Sequence, residues 1–162
     1  MTGTHQHYDL IIIGGGPAGQ GAAEFAAFAG RRILVIERQV LGGLVVTTGG
    51  GPTKTLREAA LHLTGFRYRA LYGITEQPNI VTAVERSRAR TEVVSSAMQN
   101  FTHSFFVDRL GVDVVYGSAR LGPNHTVIVT PREVSETERF FTAEKILIAT
   151  GVPPISSSKH PL

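Results

Sequence analysis

Three glycines and one acid carry the first chemistry in this chain. Gly14, Gly16 and Gly19 stand in G-x-G-x-x-G spacing directly after the apolar run Leu10-Ile-Ile-Ile13, and Glu37 closes a second apolar run, Ile33-Leu-Val-Ile36. In such a turn the first glycine allows the tight bend, the second lets backbone approach a phosphate, and the third lets a helix lie close to a strand. Pro17 suits the first turn of that helix, where its missing N–H costs nothing, and Ala18 follows it. The helix start offers unpaired N–H groups and the positive end of its dipole, which suits a pyrophosphate. Glu37, at the end of the second strand, can accept ribose hydroxyls, each charged hydrogen bond contributing about 1.5–3 kcal/mol. An acid there favours a free 2′-hydroxyl, as in FAD or NAD, over a 2′-phosphate. Arg38 beside it could serve a phosphate or simply be a solvated charge.

The elements that must position these residues follow from the same stretch. Tyr8 to Ile13 reads as a continuous, doubly covered parallel strand rather than an alternating one. Gly21, Ala22, Ala23, Ala26, Ala27 and Ala29 keep the following helix thin, and Gly30 ends it. Ile33 to Ile36 is the second parallel strand. The segment from Val40 to Lys54 is too rich in glycine for an ordinary element, and Thr53 reads as the N-cap of a helix through Leu63. The glycines at 14–16, 42–43 and 49–51 suggest close backbone approach.

Composition removes several classes of function. The 162 residues suffice for one domain, and 42% hydrophobic with 18% charged residues is the balance of a globular protein. The sequence holds no cysteine, so disulfide scaffolds, thiolate metal sites and dithiol redox chemistry are excluded. The net charge of +3 comes from scattered arginines, with one cluster at Arg86, Arg88 and Arg90 and no interleaved aromatics, so nucleic acid is not an expected partner. No apolar run approaches a membrane span. Residues 1–7, with His5 and His7, are polar and read as a disordered tail, and a cytoplasmic location is expected.

Gly14-x-Gly16-x-x-Gly19-x-x-x-Ala23-x6-Gly30-x6-Glu37, then Gly42-Gly43, then Gly49-x-x-Pro52-Thr-Lys54, resembles the FAD domain of the flavin disulfide reductase family. Within it, Pro52-Thr-Lys-Thr-Leu-Arg-Glu-Ala-Ala-Leu-His-Leu-Thr-Gly65 followed by Leu71-Tyr-Gly73 is most similar to the soluble pyridine nucleotide transhydrogenase branch. The resemblance runs from Tyr8 to about Pro154. It implies FAD as cofactor, with Gly42 and Gly43 in the cradle and Lys54 beside the reactive edge of the flavin. It also implies backbone contacts to adenine from Gly117 and Ala119, and a turn at Ala149-Thr150-Gly151 near the pyrophosphate. The implied reaction is reduction of FAD by NADPH and of NAD+ by the flavin. The family's two redox cysteines fall here on Val45 and Gly50, its asparagine falls on Thr47, and the loop after Glu37 is about one residue short.

The remaining chain supplies the rest of the expected fold. Ile80 to Leu110 reads as helix, with Val93, Ala97, Phe101 and Phe105 in an i+4 stripe that suggests core or interface. His103 reads as a packing or surface residue, and 64–78 as a loop. Val112–Tyr116 is a third strand. Arg120–Gly122, Thr126–Thr130 and Phe140–Ala143 are short antiparallel strands of a meander, and Lys145–Ala149 is a fourth parallel strand. The fold class is therefore α/β, a Rossmann-like parallel sheet with flanking helices and a small β-meander. Domain organisation reads as an FAD-binding portion over 8–154 and a linker over 155–162.

One fingerprint and one ribose acid point to a fragment or an incomplete flavin fold, with an unpaired apolar sheet edge that promotes self-association or a homodimer. Nicotinamide nucleotides are expected substrates only together with further domains. The alternatives are a catalytically silent nucleotide-binding module and, more weakly, a short NAD dehydrogenase, since no Tyr-x-x-x-Lys pair follows the fingerprint.

Overall fold

The computed structural model describes residues 6–65, 68, 71–73, 79–133 and 136–152. The expected linker over 155–162, Pro154 and most of the expected tail lie outside the described residues. The first strand, β1, spans Gln6–Ile13 and so begins two residues before Tyr8. Gln6 and His7 pair with Phe141 and Thr142 of the last strand.

Helix α1 (Pro17–Phe28) and strand β2 (Ile33–Glu37) follow as expected. The small residues of α1 let it lie close to the sheet, and Gly19 and Ala23 are its buried positions. The Gly-rich segment folds more than expected. A one-turn helix, α2, spans Leu44–Thr47, and α3 runs from Gly50 to Thr64. The latter begins three residues before the expected Thr53, and Gly49, not Thr53, is the residue that caps it. Glycine lowers helix propensity by about 1 kcal/mol per residue, which hides such a start in the sequence. Pro52 tolerates the first turn because its absent N–H has no helical partner there.

Helix α4 spans Ile80–Ser104 and continues as a π-helical segment, Phe105–Arg109. The Asn79 side chain caps it by accepting from the Thr82 N–H at 3.1 Å. The hydroxyl of Ser95 donates to the Val46 carbonyl and ties α4 to α2. The expected aromatic stripe is mostly uncovered: α4 has no buried residue, and Phe101 is 71% exposed. Its far end does reach core, where Phe105 packs edge-on to the buried Phe106. His103 is exposed.

Three further strands complete the sheet: β3 (Asp113–Leu121), β4 (Thr126–Pro131) and β5 (Arg139–Ile148). Two of them each replace a pair of shorter strands expected from the sequence. In β3, residues 113–116 pair in parallel with β2 and residues 117–121 pair antiparallel with β4. In β5, residues 139–142 pair antiparallel with β4, while residues from Phe141 onward pair in parallel with β1. By changing partner midway these strands join the parallel sheet to the meander, and the five strands close in the order β1-β2-β3-β4-β5. Among the described residues, the outer edge of 144–148 has no ladder partner, and Leu147 and Ile148 are exposed there.

Two cores result. Inside the closed sheet lie Tyr8, Ile11, Leu34, Ile36, Val127, Val129 and Phe141. Between the sheet and the helices lie Ile12, Ala23, Ile33, Val35, Leu41 and Phe106. Residues 10–13 of β1 and 33–36 of β2 alternate between the two, which is why these stretches are apolar without a break. Among the described residues, no helix is long and apolar enough to cross a membrane.

Candidate functional site

The G-x-G-x-x-G turn sits where β1 ends and α1 begins, at the carboxyl end of the parallel strands, where open α/β sheets bind their ligands. Gly14 has φ +108°, a conformation that side chains resist, and a Cβ on it would strike the Ala149 carbonyl. A Cβ on Gly19 would strike the Gly14 carbonyl and come within 3.2 Å of Ile12 Cγ2. These two glycines are therefore required by the protein's own packing. Gly16 differs, because a Cβ there would meet nothing within 4 Å. It is the N-cap residue of α1, no side chain caps that helix, and Pro17 and Ala18 beside it are exposed. The helix start is thus uncapped beside a position that carries no side chain and has open space, as an approaching phosphate needs.

Glu37 ends β2 beside this turn. Its carboxylate accepts from the Gly15 N–H and from the Gln39 N–H, both at 2.7 Å. Gly42 joins the same cluster, since its N–H donates to the Gly15 carbonyl at 2.8 Å. Gly43 follows, with its missing Cβ directed 3.2 Å from Gly16 Cα. From the other side Ala149 donates to the Ile13 carbonyl at 2.8 Å, and Ala149 and Thr150 lie against Gly14. Gly14, Gly16, Pro17, Ala18, Gly19, Glu37, Gly42, Gly43, Ala149 and Thr150 are therefore one constellation, and Gly151 follows with φ +66°.

Other expected site residues stand apart from this cluster. Arg38 is exposed beyond the end of β2. Lys54 is exposed on α3, and α2 and the Gly42-Gly43 loop stand between it and the turn in sequence. Gly117 follows Tyr116, which is in register with Glu37, but its missing Cβ faces the Thr130 carbonyl at 2.5 Å. Ala119 packs against the inner core. The glycines at 49–51 also have an internal reason: a Cβ at Gly49 would lie 2.8 Å from the Leu44 carbonyl, and one at Gly51 would lie 2.5 Å from Met98 Sδ. That run serves the junction of α2, α3 and α4.

Three residues near Glu37 escaped sequence reasoning. Gly15 supplies a hydrogen bond to the acid. Arg132, at the end of β4, donates to the Gln39 carbonyl at 3.4 Å and so braces the loop after Glu37. Tyr116 lies close enough for burial, and secondly the Glu37 charge, to raise its phenol above the ordinary tyrosine range. Strand register sets Tyr116 beside Glu37, and a register is not written in any local motif. An apolar groove of about 510 Å³ opens beside Pro17 and Gly42, walled by Val46, Val94, Met98 and Phe101. Among the described residues, no cluster of three histidine or acidic side chains could hold a metal ion.

The profile of the pyridine nucleotide-disulphide oxidoreductase family matches residues 8–160. The chain belongs to this family. The family depends on FAD, the cofactor expected from the sequence. Among curated relatives, a soluble pyridine nucleotide transhydrogenase of Mycobacterium tuberculosis (strain ATCC 25177 / H37Ra) is 36% identical over 155 residues, covering 94% of this chain and 32% of the relative. One of Vibrio vulnificus (strain YJ016) is 31% identical over 149 residues, covering 91% of this chain and 31% of the relative. Among solved structures, the Cu(II) complex of the HOCl-induced flavoprotein disulfide reductase RclA from Escherichia coli is similar, with a TM-score of 0.70 at 30% identity. That match covers 93% of this chain and 31% of the other. The chain thus spans about a third of the length of these family members.

Proposed function

We propose that this chain is the FAD-binding portion of an NAD(P)/FAD-dependent oxidoreductase that passes hydride from NADPH to NAD+. The observation that carries this reading is the open space at Gly16, at an uncapped helix start and beside the Glu37 carboxylate. The N–H groups of the first turn of α1 would take the pyrophosphate, aided by the helix dipole. Glu37 would accept the ribose hydroxyls of the adenosine. The Ala149-Thr150-Gly151 turn and the Gly42-Gly43 loop would flank the cofactor from opposite sides, and Lys54 is the cation this reading assigns to the flavin. FAD, when bound, supplies the two-electron chemistry, and the protein supplies orientation and electrostatics. With no cysteine in the chain, no electron pair passes to a thiol of these residues, and transhydrogenation requires none.

Nicotinamide nucleotides are the substrates of this reading, and they need further domains to bind. A cytoplasmic location belongs to it as well. Self-association is its further expectation, because an unpaired strand edge with exposed apolar residues templates pairing with a second copy. The 144–148 edge, with Leu147 and Ile148, has that character.

The test is to express the chain, saturate it with FAD, and record the visible spectrum and the thermal unfolding midpoint. The expected result is a retained flavin band and a midpoint that rises with FAD concentration, since a ligand that binds the native state stabilises it. A colourless protein unmoved by FAD but stabilised by ADP would overturn it. That outcome would favour a second reading, a catalytically silent nucleotide-binding module, to which Val45 and Gly50 at the two thiol positions already lend support.

A further inference from the structure

Gly15 lies between the first two glycines of the fingerprint, at a position where the motif accepts any residue. Here it is buried, and both of its peptide groups are engaged. Its N–H donates to Glu37 Oε2 at 2.7 Å. Its carbonyl accepts from the Gly42 N–H at 2.8 Å and from the Gln20 side-chain amide at 3.2 Å. Gly15 is thus the residue through which the acid, the Gly42-Gly43 loop and α1 are held in one arrangement.

What keeps a side chain off Gly15 is not backbone conformation, since it is not among the residues of positive φ. A Cβ there would come 2.5 Å from Leu41 Cδ2 and 3.2 Å from Glu37 Oε2. Leu41 is 2% exposed and has little room to retreat. A methyl group at this place therefore presses on the carboxylate itself.

The Gln39 N–H holds the other carboxylate oxygen at 2.7 Å. An ionised carboxylate offers about four lone-pair sites, two on each oxygen. The two backbone donors occupy one site on each oxygen, which leaves one on each for a pair of vicinal hydroxyls. The charge-assisted bonds also fix the carboxylate before any ligand arrives, so less side-chain freedom remains to be lost on binding.

We propose that Gly15 is a positioning residue that presets Glu37 for the ribose diol and thereby sets the preference for a free 2′-hydroxyl. This rests on the dinucleotide reading of the turn given above. The test compares ADP with 2′-deoxy-ADP, by calorimetry, on the natural chain and on Gly15→Ala. The natural chain should bind ADP about tenfold more tightly than the deoxy nucleotide, the worth of one hydrogen bond to a charged acceptor. In Gly15→Ala, ADP should weaken by about the same factor while the deoxy nucleotide changes little, so the ratio falls toward one.

Gly15→Ala could fail to fold, so amide hydrogen exchange on the natural chain and on Glu37→Gln supplies a second readout. The Gly15 amide should be protected in the natural chain and exchange about tenfold faster in Glu37→Gln, where an acceptor oxygen is lost. A Gly15→Ala protein that keeps the full ADP preference, or a Gly15 amide equally protected in Glu37→Gln, overturns the assignment alone. A natural chain that binds neither nucleotide overturns the dinucleotide reading, and the assignment falls with it.

Discussion

Tyr8, near the start of β1, is 2% exposed, whereas a Cβ on Gly16, just past its end, would meet nothing within 4 Å beyond its own chain neighbours. Around Tyr8 side chains close over the ring. Its hydroxyl donates to Asp113 at 2.9 Å, its ring meets Phe141 edge-on at 6.1 Å, and the Arg32 guanidinium lies 4.6 Å above it. At the other end, side chains give way to glycines, and the start of α1 has no side-chain cap. One strand thus ties the closed sheet together at one end and, on the proposed reading, presents an anion site at the other. On that reading, binding capacity here comes from what is left out.

That contrast breaks most severely at Gly19. It belongs to the open end by motif, yet its missing Cβ points at the Gly14 carbonyl, a backbone atom that cannot swing aside. Gly19→Ala should therefore behave as an overpacked core substitution, costing about 3 kcal/mol. Chemical denaturation would show this as a lowered midpoint with an unchanged slope. A midpoint equal to that of the natural chain would mean that α1 is not tightly seated on β1.

The sealed end should respond less to substitution and more to pH. Tyr8→Phe removes one hydroxyl and its bond to Asp113, a loss of about 1 kcal/mol at neutral pH. Burial, then the hydrogen bond to Asp113, push the Tyr8 phenol up to about 12 from its ordinary 10.0. The folded state therefore holds this proton more tightly than the unfolded one. The stability it contributes is complete below pH 10 and is lost as the pH rises from 10 toward 12. Alkaline unfolding curves of the natural chain should fall steeply over that range, and those of Tyr8→Phe should fall less. Curves that run parallel would remove Tyr8 from the alkaline transition.

How legible each region was in the sequence follows from how local its cause is. The open end was readable because a turn, a helix start and a strand end are set by neighbours in sequence. Gly14 and Gly19 did what their spacing implied, and Glu37 arrived beside them. The meander was harder, because β3 and β5 each change partner within one strand. Gly117 looked like a terminus and is instead the point where β3 passes from β2 to β4, with a Cβ excluded by Thr130. The run Gly49–Gly51 suggested close backbone approach, and its reasons, the Leu44 carbonyl and Met98, lie partly in a helix that starts thirty residues later. Glycine alone does not say whether protein or ligand takes the place of its side chain.

Gly16→Ala should have the smallest effect on stability and the most selective effect on function. The backbone at Gly16, with φ −73° and ψ −176°, is one any residue adopts, so no strain is introduced. No neighbour must move to admit the methyl group. Alanine is a poorer N-cap than glycine, which sets a cost of under about 1 kcal/mol. The methyl group would occupy the space through which the α1 donors are reached, so FAD affinity should fall about tenfold or more. Titration of the flavin spectrum against protein, set beside the denaturation midpoint, separates the two quantities. A variant that loses stability but keeps its affinity would place the ligand elsewhere and make Gly16 another glycine required by packing. Lost affinity with stability nearly intact would set Gly16 apart from Gly14 and Gly19 as the glycine whose missing side chain makes room for a phosphate.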